Sequence, residues 1–201
     1  MKPVVRQVPR IPADDSHVPD ELDDVTLARA GRSDADACRE FVRRYERRVF
    51  AMLGRMLAPR GLGALVEDVA QETFLRAFRA LPGFDRRGPA RLSTWIVCIA
   101  SRLAINELAR KRPSVAPMPD DLVAADAGDD ATRRGEQRRA LRAAVASLTP
   151  EQHAVFELRE YHGLSEGEIA AALELDVAAV KSRLFRARAR LRAALSEVDR
   201  G

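Results

Sequence analysis

Apolar residues recur along this chain at helical spacing, in blocks separated by Pro and Gly. Periodicity begins near Glu21 and breaks between Gly31 and Asp34. It resumes through Phe41, Tyr45, Val49 and Leu53, four apart on one helical face, with Arg43, Arg44, Arg47 and Arg48 on the other side. Pro59, Gly61 and Gly63 stop that helix. A third helix is predicted from about Leu65 to Leu81, with Val66, Ala70, Phe74, Ala77 and Leu81 as its core stripe. A fourth runs from about Leu92 to Arg112. It is apolar nearly all round (Trp95, Ile96, Val97, Ile99, Leu103, Ile105, Leu108), the pattern of a buried helix.

The C-terminal pattern is again helical and carries explicit start signals. Thr149, Pro150 and Gln152 form an N-cap, a first-turn proline and a capping-box partner; Ser165 and Glu168 form a second capping box. Asp176 caps a last helix from about Val177 to Ser196. Long β-branched runs are absent, and Ala, Leu and Arg dominate, so the fold class is all-α. Between the halves, residues 113–131 hold five Asp and three Pro with no Lys or Arg, the composition of a flexible linker. The expected organisation is a disordered Pro-rich tail (1–20), an N-terminal helical domain (21–112), an acidic linker (113–135) and a C-terminal helical domain (136–201).

Composition adds little beyond this. The 201 residues carry a net charge of +4, a modest excess that fits nucleic-acid contact but does not require it. Cys38 and Cys98 lie inside helical patterns with no Cys/His cluster, which suits buried free thiols in a reducing compartment and leaves redox sensing without support. No apolar run approaches the roughly 20 residues needed to span a bilayer. The N-terminus has no apolar signal core, so a cytoplasmic location is expected and no membrane contact.

Three places carry candidate chemistry. A short helix from Ser165 to about Leu173, a three-residue turn and a longer helix form a helix-turn-helix, whose second helix enters the major groove. On a wheel, Val177, Val180, Leu184, Ala187 and Leu191 face the core. Ala178, Ala179, Ser182, Phe185 and Arg186 lie opposite, flanked by Lys181 and Arg183. Small residues let a helix sit deep, Ala touches a thymine methyl, and Arg grips guanine. Arg188, Arg190 and Arg192 suit phosphates, or nothing specific. An ordinary amphipathic helix with a basic solvated face is the plain alternative. On the third helix, Asp68, Gln71, Glu72 and Arg79 face away from the core and surround Leu75. An apolar residue ringed by polar ones fits a partner-binding patch, though a single exposed Leu is normal. Last, Arg86, Arg87 and Arg91 lie near Phe84 and Trp95, an arrangement that could hold single-stranded DNA by stacking and phosphate contact. The alternative is that both aromatics are core.

Together these segments resemble the extracytoplasmic-function (ECF) sigma factors of bacterial RNA polymerase. EDVAQETFLRAFRALPGFD is similar to the family's region two, and RLSTWIVCIASRLAINELARKR to the part that opens and reads the minus-ten element. LTPEQHAVFELREYHGLSEGEIAAALELDVAAVKSRLFRARARL is similar to region four, which reads the minus-thirty-five element. The resemblance implies a non-enzymatic initiation factor with no cofactor and no metal. It implies that Asp68, Gln71, Glu72 and Leu75 bind core RNA polymerase. Arg86, Arg87, Arg91, Thr94, Trp95, Arg102 and Asn106 would bind the melted minus-ten strand, and Ala178, Ala179, Lys181, Ser182, Arg183 and Arg186 the upstream promoter DNA. An anti-sigma factor is an implied partner. The family usually has Gly in the helix-turn-helix turn where Glu174 stands, so another residue is expected to take the tight turn. It often has Thr at Ala179, His near Phe185 and Asp at Asn106, which bears on promoter sequence.

A regulator that binds duplex DNA without polymerase explains the C-terminal half equally well, but not the EDVAQETF patch or the basic-aromatic loop. An enzyme finds no support: His17, His153 and His162 are scattered, with no paired catalytic constellation or phosphate loop.

Overall fold

The computed structural model describes residues 21–86, 90–110, 140 and 142–198, the last four in backbone alone. The tail, the linker and Arg87 lie outside the described residues. Among those described, all regular structure is helical.

Helix α1 (Asp24–Ala30) starts at Asp23, whose carboxylate accepts the backbone N–H groups of Val25 and Thr26. Helix α2 (Ala35–Leu57) starts at Asp34, which accepts the N–H of Ala37 and also pairs with Arg29 across the turn. Gly61 ends the following 3-10 turn in the left-handed region (φ 72°). Helix α3 (Val66–Ala80) and helix α4 (Leu92–Ala109) complete the N-terminal unit. The fourth helix is thus shorter than the periodicity suggested: Arg110 is already extended.

The expected stripe on α2 is confirmed, with Phe41, Tyr45, Val49 and Leu53 essentially fully buried. Phe41 packs against the rings of Tyr45 (5.1 Å), Phe78 (5.2 Å) and Phe74 (6.3 Å). On α3 the buried set is Val69, Ala70, Thr73, Phe74 and Ala77. Val66 is only half-buried, packed against the edge of the core; Thr73 is admitted because its hydroxyl donates to the Val69 carbonyl at 2.7 Å. Glu21 ties the start of the unit together. Its carboxylate accepts the Tyr45 hydroxyl (2.9 Å) and the Ser93 hydroxyl at the start of α4. Burial, reinforced by that carboxylate, holds the Tyr45 phenol above its usual pKa.

Residues 142–147 are helical and lead into α5 (Pro150–Glu160), α6 (Glu166–Leu173) and α7 (Val177–Val198). Both expected capping boxes are present, at Thr149/Gln152 and Ser165/Glu168. Helices α5 and α7 pack together with α6 across them.

The two helical units are not separate bodies. Helix α4 packs against α2 and α3 on its own side and against α5 and α6 on the other. One apolar cluster runs from Phe41, Ile96 and Leu103 through to Val155, Leu158 and Ile169. By length and apolarity α4 is the one described helix that reaches the threshold for crossing a membrane, and this packing from both sides accounts for its composition.

Candidate nucleic-acid interface

Helix α7 is positioned by its cap and its apolar stripe. Asp176 accepts the Ala179 N–H, while Val180, Leu184, Ala187 and Leu191 are buried against α5 and α6. Val177, expected in that stripe, is instead 43% exposed: as the first helical residue it sits before α7 reaches its neighbours. The opposite face is open. Ala178, Lys181, Ser182, Phe185 and Arg186 are exposed, Ala179 and Arg183 half-buried. Phe185 is 70% exposed, an unusual setting for a large aromatic ring and a sign of a contact surface.

The tight turn between α6 and α7 is made by Glu174 itself (φ 56°, ψ 45°), which corrects the expectation that another residue would take it. The N–H of Leu175 donates to the Ala170 carbonyl and closes the turn. A side chain in this left-handed region costs about 1 kcal/mol relative to glycine.

The basic residues further along α7 have partners within the protein. Arg188 pairs with Glu160 at 2.6 Å, Arg190 donates to the Ser147 carbonyl at 2.7 Å, and Arg192 to the Arg188 carbonyl at 3.2 Å. Lys181 has a loose partner in Glu166 at 3.8 Å.

On α3, Asp68, Gln71 and Leu75 are exposed, Leu75 by 44%, and Glu72 is half-buried. Glu72 forms an ion pair with Arg76 (2.6 Å), whose hydrogen bond lowers its carboxyl pKa. These four residues therefore form one surface away from the Phe74 core.

At the start of α4, Phe84 and Trp95 lie 5.1 Å apart, both half-buried against the core. Each ring thus packs part of its surface on the core and leaves part exposed. Arg91 is the N-cap residue, and its carbonyl accepts the Trp95 N–H. Arg86 pairs with Asp24 of α1 at 2.7 Å. Thr94 is half-buried and Asn106 exposed. Arg102 reaches into the other unit: it donates to the Ala172 carbonyl and pairs with Glu174 at 3.2 Å.

Sequence reasoning missed the polar residues between the units. Arg55 donates to both oxygens of Glu157 at 2.9 Å and stacks on Tyr161, 4.1 Å from the ring centre. Arg60 donates to the Leu148 carbonyl and meets His153 Nδ1 at 3.0 Å. His162 lies near Arg48 and Arg55; burial and then these cations push its pKa down to about 4. Arg55 continues the arginine-rich face of α2, which periodicity assigns to solvent.

A helix-turn-helix with an open reading face, joined in one chain to a second helical unit with a polar-ringed leucine patch, defines a multi-contact DNA-binding protein. Comparison with known proteins narrows this. Residues 41–113 match the family model of sigma-70 region 2, and residues 138–191 that of sigma-70, region 4. The chain is similar to the RNA polymerase sigma-H factor of Pseudomonas aeruginosa (32% identical over 195 residues, 90% of this chain and 97% of that one). It is similar to the ECF RNA polymerase sigma-E factor of Escherichia coli K12 (33% over 178 residues, 83% and 90%). Among solved structures it resembles CnrH in complex with the cytosolic domain of CnrY (TM-score 0.58, 26% identity, 86% of this chain and 96% of that one).

The chain belongs to the ECF sigma factors. It directs promoter-specific initiation of transcription with RNA polymerase, acting on the chromosome as a regulatory initiation factor.

Proposed function

We propose that each part of that activity falls to a separate surface. Asp68, Gln71, Glu72 and Leu75 on α3 bind core RNA polymerase. Arg86, Arg87, Arg91, Thr94, Trp95, Arg102 and Asn106 hold the melted minus-ten strand. Ala178, Ala179, Lys181, Ser182, Arg183 and Arg186 read the minus-thirty-five element in the major groove. Residues 21–112 and 136–201 act as the two functional domains, with 113–135 as the linker. The protein works in the cytoplasm without enzymatic activity, and an anti-sigma factor holds it off; CnrH, which it resembles, was solved with the cytosolic domain of CnrY.

The observation that carries this reading is the two-sidedness of α7. Val180, Leu184, Ala187 and Leu191 are buried, whereas Ala178, Ser182, Phe185 and Arg186 are exposed on a helix presented by a capped turn. The α3 surface repeats the pattern, with Leu75 exposed among polar side chains.

Transcription from defined templates with purified core enzyme tests the assignment. Wild-type protein should give promoter-specific transcripts only with core. Asp68→Arg or Leu75→Asp should weaken core binding with melting unchanged within about 0.5 kcal/mol, since exposed substitutions rarely do more. Core binding unaffected by either substitution would remove the α3 assignment.

A further inference from the structure

Helix α4 starts without a cap of its own: Arg91, at the N-cap, makes no side-chain hydrogen bond to the free N–H groups of the first turn. The acceptor comes from the start of the N-terminal unit. The Glu21 carboxylate accepts the Ser93 hydroxyl and, at 3.3 Å from both oxygens, the Ser93 N–H. Helix α2 braces it from the other side. The Tyr45 hydroxyl donates to Glu21 at 2.9 Å and accepts the Leu22 N–H at 3.2 Å, and Arg48 lies within electrostatic reach. Leu22, Tyr45 and Ser93 are each at most 2% exposed, so Glu21 is fixed against interior groups. We propose that Glu21 is a positioning residue for promoter opening: its carboxylate fixes the first turn of α4 and so sets where Thr94 and Trp95 meet the melted minus-ten strand.

This rests on the reading of the start of α4 as the minus-ten contact, and adds to it a residue that acts through another element. The body of α4 is held by Ile96, Val97, Ala100 and Ala104, each 0% exposed. Loss of the carboxylate therefore frays the start of the helix and leaves the rest packed. A side chain that caps a helix favours its ordered first turn by about five-fold. A negative charge beside the helix N-terminus adds to that. Trp95 follows Ser93 by two residues and packs on Phe84 at 5.1 Å, so a frayed turn moves the ring pair directly. The same N-terminal segment also meets the chain ahead of α4, where Asp24 pairs with Arg86 at 2.7 Å. That pair leaves Asp24 80% exposed and contributes little, so the weight falls on Glu21.

Glu21→Ala, Glu21→Gln and Ser93→Ala in the full-length protein, assembled with core polymerase, test the assignment. The probe is the fluorescein-labelled, single-stranded non-template segment spanning the minus-ten element of a promoter that the wild-type holoenzyme transcribes. Glu21→Ala should weaken binding of that strand about five-fold, with affinity for core and for the duplex upstream element unchanged. Glu21→Gln keeps an acceptor for the Ser93 hydroxyl and should recover part of the loss. Ser93→Ala should weaken the strand as well, and should add little to Glu21→Ala in the double variant, because both remove one contact. Trp95, the single tryptophan, reports the cause without DNA: acrylamide should quench it more readily in Glu21→Ala than in wild type. Unchanged strand affinity in both Glu21→Ala and Ser93→Ala overturns the proposal. So does an equal fall in strand, core and upstream binding, the pattern of a merely structural residue. The minus-ten reading itself fails by a different result, a wild-type holoenzyme that binds the strand no tighter than a scrambled one.

Discussion

The buried ion pair between the units sets a sharp quantitative expectation. Glu157 is 1% exposed, and its carboxylate accepts the Arg55 Nε–H with both oxygens at 2.9 Å; the Arg55 side chain is 33% exposed and stacks on Tyr161. Removing one partner of a fully buried pair costs about 3–5 kcal/mol, since the other charge is left uncompensated. Here Arg55 retains some solvent and its aromatic neighbour, which lowers the expectation for Glu157→Ala to about 3 kcal/mol. Glu157→Gln keeps an acceptor and should cost about half as much. The location adds a second signature. Glu157 belongs to α5 and Arg55 to α2, so the loss falls on the boundary between units. Urea unfolding followed by far-UV circular dichroism and by fluorescence of Trp95, the single tryptophan, samples the whole chain and the N-terminal unit respectively. Wild-type transitions should coincide, because one apolar cluster spans both units. In Glu157→Ala the ellipticity should begin to fall before the Trp95 signal moves. A loss below about 1 kcal/mol with coincident transitions would show that the pair contributes nothing to joining the units.

Acid should loosen the same boundary: His162 titrates near 4 in the folded chain against 6.5 in model peptides, so the unfolded state binds more protons between those values. Stability is then full above about pH 6.5 and falls as pH drops toward 4, by about 2 kcal/mol at pH 5; His162→Phe should flatten that slope in urea titrations at pH 7 and 5, and an unchanged slope would reject the assignment. Phe41→Ala should cost about 3–5 kcal/mol by thermal or urea unfolding, because the ring is fully buried among Tyr45, Phe74 and Phe78. Arg186→Ala should relax sequence preference at one or two upstream positions by about 1–3 kcal/mol, whereas Arg192→Ala, which removes a side chain bonded to the Arg188 carbonyl, should not; selection from a randomised upstream element reads both.

Local patterns made most of the helices legible, because each helix has one dominant environment. The Phe41 to Leu53 stripe, both capping boxes and the Val180 to Leu191 stripe depend on residues within a turn or two of one another, and all stand where periodicity and capping chemistry placed them. The departures sit at element ends. Val177 is exposed at the first position of α7, and α4 stops at Ala109, where the apolar run gives way to the extended Arg110. The candidate faces of α3 and α7 were legible for the complementary reason. A polar or small residue opposite a buried stripe must meet solvent or a partner, so Leu75 and Phe185 mark themselves by being apolar in the wrong place.

The contact between units left no such mark, because it joins residues far apart in sequence. Arg55 and Glu157 are 102 positions apart, and Arg55 lies on a face of α2 whose other arginines, such as Arg43 and Arg47, find helix-local partners or solvent. Nothing in the spacing of Arg55 separates it from Arg47. The signal that existed was compositional: α4 is apolar nearly all round, more so than a four-helix unit requires when α2 and α3 cover only part of it. A helix with apolar surface on every side needs cover on every side, and α5 and α6 supply it. The same helix carries Arg102 outward to the α6 end and Glu174, so the surface that binds the units and the surface proposed for the minus-ten strand share one element. Contact between the units therefore follows from the apolarity of one eighteen-residue segment.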